Sequence, residues 1–280
     1  MNNEVETYYD RNTSLFLKYD PHYETYGIHR EVWGNGVATS QDAFNFVNSL
    51  ILNIIKRHKL ESILDLGCGV GGSLFYLAQA YSKPCYYRIT ISSAQLQISR
   101  DISKKLNIEN KCKIVKGDFQ KLPKSLPVID LAFSIEAFVH ATDSDAFFSE
   151  ISANMKKTGF LIVCDDFISE SAANLPTNSS EKKLIELFCK GWVLGSLTRV
   201  SQIQSIASKY GYQLMENIDL TPNLKLRRNR DILISFSVII LKHFMHFSSY
   251  IKAIVGGDAL QKCLMKELVS YRFLVFQKIK

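Results

Sequence analysis

The sequence predicts an α/β fold built on a mostly parallel sheet. Apolar runs of strand length alternate with helical segments from residue 61 to 164, the order of successive βαβ units. One run, Ile63 to Leu66, leads straight into a turn holding Gly67, Gly69, Gly71 and Gly72, and then into a helical segment from Ser73 to Ala80. A strand, a glycine-rich turn and a helix N-terminus together aim backbone N–H groups at the carboxyl end of a parallel strand, where such sheets hold nucleotides. The 280-residue chain is 46% hydrophobic and 22% charged, as an ordinary globular protein is, and is long enough for one large α/β domain or a domain with a cap.

The net charge of +7 suits an anionic substrate, nucleic acid or an acidic membrane surface, and equally serves solubility alone. Six cysteines (68, 85, 112, 164, 189 and 263) are scattered with no C-x-x-C pair. Such usage predicts reduced thiols in a cytoplasmic compartment, with no zinc site, no disulfide scaffold and no legible metal-ligand set. Met1 to Asp10 is polar and acidic, unlike a signal peptide. Ile232 to Leu241 is the longest apolar run, and it is too short for a bilayer span of about 20 residues.

Along the chain, Tyr8 to Val37 is rich in aromatics (Tyr8, Tyr9, Phe16, Tyr19, Tyr23, Tyr26, Trp33) and carries His22 and His29. A disordered tail would be poor in such residues. Tyr8 to Tyr19 reads as a short helix, and Pro21 and Gly34-Asn35-Gly36 interrupt regular structure beyond it. The segment reads as a lid over the pocket, or as the cover of a sheet edge or subunit interface. Ser40 is placed to cap a helix from Gln41 to about His58, whose Phe44, Val47, Ile51, Ile54 and Ile55 form one apolar stripe. Further strands are expected at Cys85 to Thr90, Lys113 to Lys116, Val128 to Ser134, Gly159 to Cys164, Tyr212 to Ile218 and Tyr271 to Gln277. Helices are expected at Ser93 to Leu106, Ser144 to Met155 and Arg199 to Tyr210. The long stretch from Asp219 to Val269 opens on Lys225, Arg227, Arg228 and Arg230, and reads as one long helix from Ile232 to Ile254 ended by Gly256-Gly257. It is expected to be a helical cap or a dimer surface, with a membrane-surface helix as the third reading. The domain reading is therefore a lid at 1–40, a core at 41–218, a cap at 219–269 and a last core strand at 270–280.

No Lys-Ser or Lys-Thr follows the glycines, so the turn is not a P-loop. Gly67-x-Gly69-x-x-Gly72 has dinucleotide spacing, but the next strand ends at Thr90 with no carboxylate beside it. The distinctive residue is Asp65, two positions before the first glycine, where a carboxylate can accept from a bound ammonium. Asp65-Leu66-Gly67-Cys68-Gly69-Val70-Gly71 resembles the D-x-G-C-G-x-G motif of class I S-adenosylmethionine (SAM) methyltransferases. That resemblance implies SAM as cofactor and a Rossmann-like seven-stranded, mostly parallel sheet whose last strand inserts antiparallel beside the sixth. It also puts Asp65, Gly67, Cys68 and Gly69 at the cofactor.

Three more strand ends extend the resemblance. Thr90-Ile91-Ser92-x-x-Gln95 is similar to the T-x-S-x-x-Q pattern of the sterol, tocopherol and cyclopropane-fatty-acid methyltransferases. It implies Thr90, Ser92 and Gln95 around the ribose and amino-acid moiety, where the bland alternative is a helix cap. Asp118 and Phe119 are implied at the adenine, accepting from its amino group and stacking on its ring. Glu136-Ala137-x-x-His140-Ala141 resembles the E-A-x-x-H-A segment of the sterol C-methyltransferases. Glu136 and His140 are spaced i, i+4, which a helical turn would bring to one face. They are expected to orient the substrate or take a proton, with Glu136 also near the cofactor; the alternative is a capping His on the pocket wall. Tyr8-Tyr9-Asp10-x-x-Thr13-Ser14-x-Phe16-x-x-Tyr19 more loosely resembles the aromatic opening of the same enzymes. Their glycine-rich continuation is replaced here by Asp20-Pro21-His22.

The resemblance covers residues 8 to about 165 and hardly touches the cap. It implies methyl transfer to a small molecule, most concretely an alkene carbon of an isoprenoid, either a prenyl diphosphate or a sterol-like alkene. Tyr8 and Tyr9 join Glu136 and His140 as catalytic candidates. Phe16, Tyr19 and Trp33 are expected to contact substrate, and Arg227 and Arg228 to grip a diphosphate. The alternatives are an O- or N-methyltransferase of a specialised metabolite and a non-catalytic SAM-binding protein. A nucleic-acid methyltransferase is disfavoured by the absence of N-P-P-[YF]. A homo-oligomer through lid or cap is expected.

Overall fold

Strand β1 (Ser62–Leu66) lies between β2 (Cys85–Thr90) and β4 (Ile129–Ile135), parallel to both, with β3 (Cys112–Lys116) outside β2. Strand β5 (Met155–Ile168) follows β4 in parallel. Strand β7 (Val269–Lys278) then inserts antiparallel between β5 and β6 (Tyr212–Asp219), giving the order β3-β2-β1-β4-β5-β7-β6. The expected seven-stranded, mostly parallel sheet is thus present, with its last strand beside the sixth. The structure, a computed structural model, describes residues 2–19, 26–27, 29–246 and 248–280. Pro21, His22 and Tyr23 lie outside the described residues.

Both faces of the sheet are covered, so its strands read as continuous apolar runs rather than alternating ones. Leu64 and Leu66 of β1 and Leu161 and Val163 of β5 pack on one face, with Phe147, Phe148 and Ile151. Ile63, Leu131, Phe133 and Ile162 point to the other, against Val47, Ile51 and Ile55. The helices supplying these layers include α2 (Ser40–His58), α3 (Gly72–Ala80), α5 (Ser144–Asn154) and α8 (Val200–Lys209), while α4 (Ser93–Lys105) packs through Ile102 in a separate cluster with Val70 and Phe75. The α2 cap falls one residue earlier than expected. Thr39 accepts from Asp42 N–H while the Asp42 carboxylate accepts from Thr39 N–H, a reciprocal box that Ser40 could not make with this spacing.

Two regions depart from expectation. The helix from Tyr8 starts earlier, as α1 (Asn2–Tyr19). The long helix predicted from Ile232 to Ile254 is two: α9 (Asn229–Leu241), followed by a 3₁₀ turn at Lys242–Phe244, and α10 (Ser249–Met265), whose N-cap is Ser248. Gly256-Gly257 does not end it but lies inside α10. The reason is a partner helix that the sequence reading lacked. After the four-residue α6 (Glu170–Ala173), α7 (Ser180–Trp192) crosses α10 so closely that a Cβ on Gly256 would stand 2.5 Å from Trp192 Cδ1. Ile185 and Phe188 of α7 and Ala259, Leu260, Cys263 and Leu264 of α10 form their own apolar cluster.

Candidate active site

The strand order reverses at β1, and a cavity of about 360 Å³ opens at the carboxyl ends there. The β1 loop forms its floor. Gly67 has φ +78° and Gly71 has φ +99°, a region that favours glycine. A side chain at Gly67 would also strike Ala137, and one at Gly71 would strike the Arg88 guanidinium. Asp65, 4% exposed, faces the cavity and finds no hydrogen-bond donor among the described residues. Burial pushes its carboxyl up to about 8, opposed by Arg88, its neighbour across the β1–β2 ladder. Arg88 is itself fully buried, donating to Ser99 and Ser103 Oγ and the Cys112 carbonyl, with its guanidinium over the Phe75 ring. An unpartnered carboxylate beside a glycine loop fits the ammonium of an amino-acid moiety.

Along β2, Thr90 Oγ1 donates to Gln95 Oε1 (2.8 Å), and both residues line the cavity. Ser92 does not. Its Oγ accepts from Gln95 N–H as the N-cap of α4 and donates to Asp10 of α1, whose carboxylate also accepts from Ala94 N–H. Asp10 and Thr13, the latter accepting from Gln95 Nε2 at 3.3 Å, therefore tie α1 across the β2 end of the site. Cys68, Gly69, Asp118 and Phe119 line the same cavity, with Phe119 edge-on to Phe147.

Beyond β4 the expected helical turn is absent. Glu136 sits at φ 52°, in the left-handed region, and only Phe138–His140 make a 3₁₀ turn, so Glu136 and His140 face different partners. Glu136 Oε1 accepts from Arg30 N–H (2.9 Å), Arg30 Nε (3.1 Å) and Tyr271 Oη (2.9 Å). Burial raises its carboxyl, but the Arg30 charge, the His29 charge and the Arg30 hydrogen bonds outweigh that effect and hold it below the usual range. Arg30 reaches on to Asp166 with both terminal nitrogens (3.0 and 2.9 Å) and lies over the Tyr271 ring. His140 Nδ1 is 3.2 Å from the Val193 carbonyl, and Nε2 is 2.9 Å from Tyr9 Oη. A carbonyl only accepts, so Nδ1 carries the proton and Nε2 accepts from Tyr9. Burial lowers His140 to about 4, keeping the ring neutral at physiological pH.

Tyr8 and Tyr9 line the cavity from α1, and Trp192, Tyr250 and Ile254 close it from α7 and α10. Phe16 and Tyr19 belong to α1, with side chains outside the described residues. Trp33, Arg227 and Arg228, expected at the substrate, are not among the described lining residues. Arg228 pairs with Glu31, Arg227 N–H donates to Gln261, and Lys225 lies over Trp33. Lys225 and Arg228 thus hold residues 31–33, while Arg230 pairs with Asp231 at 3.6 Å. Sequence reasoning missed Arg30, Tyr271, Asp10, Trp192 and Tyr250. The doublet Asp165-Asp166, two carboxylates ending an apolar strand, was the one local signal for the Arg30 network.

Residues 57–219 match the family model described as "Methyltransferase domain". The 24-methylenesterol C-methyltransferase 3 of Arabidopsis thaliana is 31% identical over 182 residues, 65% of this chain and 50% of that protein. The chain thus spans about half the length of that curated relative. Among solved structures, a putative sarcosine dimethylglycine methyltransferase from Galdieria sulphuraria superposes with TM-score 0.75 at 16% identity, covering 98% of this chain and 99% of that one. Geranyl diphosphate C-methyltransferase from Streptomyces coelicolor A3(2), solved with Mg2+, geranyl diphosphate and S-adenosyl-L-homocysteine, superposes with TM-score 0.69 at 14% identity, covering 99% and 97%. The fold and the family match agree, and this chain belongs to the methyltransferase domain family.

Proposed function

We propose that the protein transfers a methyl group from SAM to a neutral, apolar small molecule, most concretely to an alkene carbon of a sterol-like isoprenoid. The carrying observation is the chemistry of the cavity wall. Tyr8, Tyr9, Phe119, Trp192 and Tyr250 line it, and no Lys or Arg does so among the described residues. A diphosphate would call for charge-assisted donors at the wall, and Lys225, Arg227, Arg228 and Arg230 are not among its described lining residues.

In this reading Asp65 takes the ammonium of SAM, Thr90 and Gln95 lie beside its ribose, and Asp118 and Phe119 hold its adenine. When bound, SAM supplies an electrophilic methyl on a sulfonium. The residues of the chain do the rest. They align the acceptor with the methyl and exclude water. Methylation of an alkene leaves a carbocation on the acceptor, which the aromatic faces stabilise by about 0.5–2 kcal/mol each. The adjacent proton must then leave. The Tyr9–His140 pair provides the route: Tyr9 oxygen takes the substrate proton as its own passes to His140 Nε2. A base of such low affinity suffices for a proton as acidic as that beside a carbocation, and suits the deprotonation of a hydroxyl poorly.

The similarity to norajmaline N-methyltransferase of Rauvolfia serpentina, 31% identical over 143 residues, keeps amine acceptors as the second reading. The deciding experiment incubates the protein with labelled SAM and, in parallel, a sterol alkene, a prenyl diphosphate, its free alcohol and a small amine, with mass analysis of products. Methylation of the sterol alkene in preference to the diphosphate is expected. Turnover of the diphosphate alone, or of the amine alone, overturns the proposal.

A further inference from the structure

Helix α9 is amphipathic the wrong way round. A surface helix ordinarily turns its apolar stripe inward. Here only Val238 is buried, while Ile232, Leu233, Phe236, Ile239 and Ile240, spaced i, i+3/i+4, i+7/i+8, all face out. Leu233 is 71% exposed, Phe236 68%, Ile240 66% and Ile239 60%. Five large apolar side chains on one helical face form a contiguous patch of the kind that marks an interaction surface. The same helix packs on α10, which lines the cavity through Tyr250, Ala253 and Ile254.

The charge around the patch selects its partner. Between residues 220 and 257 the chain carries six Lys and Arg against one carboxylate, Asp231. That carboxylate accepts from Arg228 N–H at the start of α9 and lies 3.6 Å from Arg230 Nε, whose side chain stays 69% exposed. Exposed cations stand at both ends of the apolar face: Arg227 and Arg230 before it, Lys242 after it. A second copy of the chain docked by two-fold symmetry would set the Arg227/Arg230 end of one α9 against the Lys242 end of the other, like charge on like. An anionic lipid surface accepts both ends at once, with the apolar side chains sinking below the headgroups.

We propose that α9 is a docking face for an anionic bilayer surface, lying in the plane of the interface and not crossing it. No helix among the described residues is long and apolar enough to cross. This surface goes beyond the proposed reaction and does not depend on it, because it is read without turnover.

The test is sedimentation of the full chain with vesicles of phosphatidylcholine alone and of phosphatidylcholine mixed equally with phosphatidylglycerol. The expected result is binding to the mixed vesicles, weakened by added salt. Leu233→Ser combined with Phe236→Ser removes two exposed apolar groups and should lower the partition coefficient by at least about 10-fold. Both side chains are exposed, so the melting temperature should not fall. Arg230→Gln with Lys242→Gln should weaken binding to the mixed vesicles by about 10-fold and leave the neutral ones unaffected. Failure of the parent protein to bind mixed vesicles, or unchanged binding by the Ser variant, overturns the proposal. So does light scattering that shows a dimer converted to monomer by the Ser pair, which would assign the face to self-association.

Discussion

Tyr9 and His140 meet across 131 residues of sequence, Tyr9 Oη lying 2.9 Å from His140 Nε2 while His140 Nδ1 holds the Val193 carbonyl. One ring nitrogen is fixed by the backbone and the other is aimed, through a phenol, into the cavity. The pair joins α1 to the turn after β4, so the cavity wall and its proton acceptor are assembled by one contact.

His140→Ala should lower kcat by about 10²–10⁴, the ordinary worth of a positioned proton acceptor, with SAM affinity nearly unchanged. Tyr9→Phe should lower it less, since Nε2 remains but its relay is gone. Turnover with labelled SAM, paired with calorimetry of SAM binding, separates the effects; an unchanged kcat in both variants would leave His140 as a wall residue.

The same histidine sets an acid limit on stability. Its folded pKa, about 4, lies below its ordinary 6.5, so unfolding takes up a proton between those values. The stability it confers is present above pH 6.5 and lost as pH falls towards 4, a change on the order of 3 kcal/mol. Denaturant unfolding at pH 4.5 and 7 should show a smaller difference in His140→Gln than in the parent.

Asp65 carries the opposite sign. Its carboxyl is raised from 3.8 to about 8, so the folded protein is penalised progressively as pH rises from 4 to 8. Asp65→Asn should therefore melt higher than the parent, by a margin that grows over that range, while losing SAM binding. Pairing with an ammonium returns the group to its anionic form. SAM binding near pH 7 should accordingly release a proton, seen as a dependence of the calorimetric heat on the buffer's ionisation enthalpy.

What could be read from the sequence was local. Asp65, the glycines, Thr90, Gln95 and Asp118 each lie at a strand end or within a few residues of one, and parallel-sheet geometry gathers strand ends at one place. Arg30 was illegible because its partners Glu136 and Asp166 lie 106 and 136 residues away, and Tyr271 enters the site only because β7 inserts beside β5. The i, i+4 spacing of Glu136 and His140 misled because a left-handed residue and a 3₁₀ turn replace the helical turn that rule requires. Clustered charge at Arg227 and Arg228 carried no information about direction, and Glu31 claims Arg228 from a distant segment.

The Arg30 clasp should be structural in a way that single and double variants distinguish. Arg30→Met leaves the buried Asp166 and the half-buried Glu136 without their cation, and should cost about 3–5 kcal/mol. Adding Asp166→Asn removes one of the stranded charges and should recover part of that loss. Urea unfolding of the four proteins of this cycle measures it, and additive losses would show that Arg30 and Asp166 do not act as a pair.

Gly256 tests how α10 shapes the cavity. The glycine is helical, so backbone conformation does not demand it; proximity does. A Cβ there would meet Trp192 Cδ1 at 2.5 Å and the Gly191 Cα at 2.9 Å. Gly256→Ala should raise helix propensity by about 1 kcal/mol, yet the overpacking against α7 costs about 1–3 kcal/mol. The second effect wins where the neighbour is backbone and cannot turn aside. A net loss of stability is expected, together with a shift in Trp192 fluorescence, since Trp192 donates to the Ala253 carbonyl one turn earlier on α10. Trp192 lines the cavity, so KM for the acceptor should rise while SAM affinity holds. A stabilised Gly256→Ala protein with unaltered fluorescence would mean that α7 and α10 stand further apart than this packing requires.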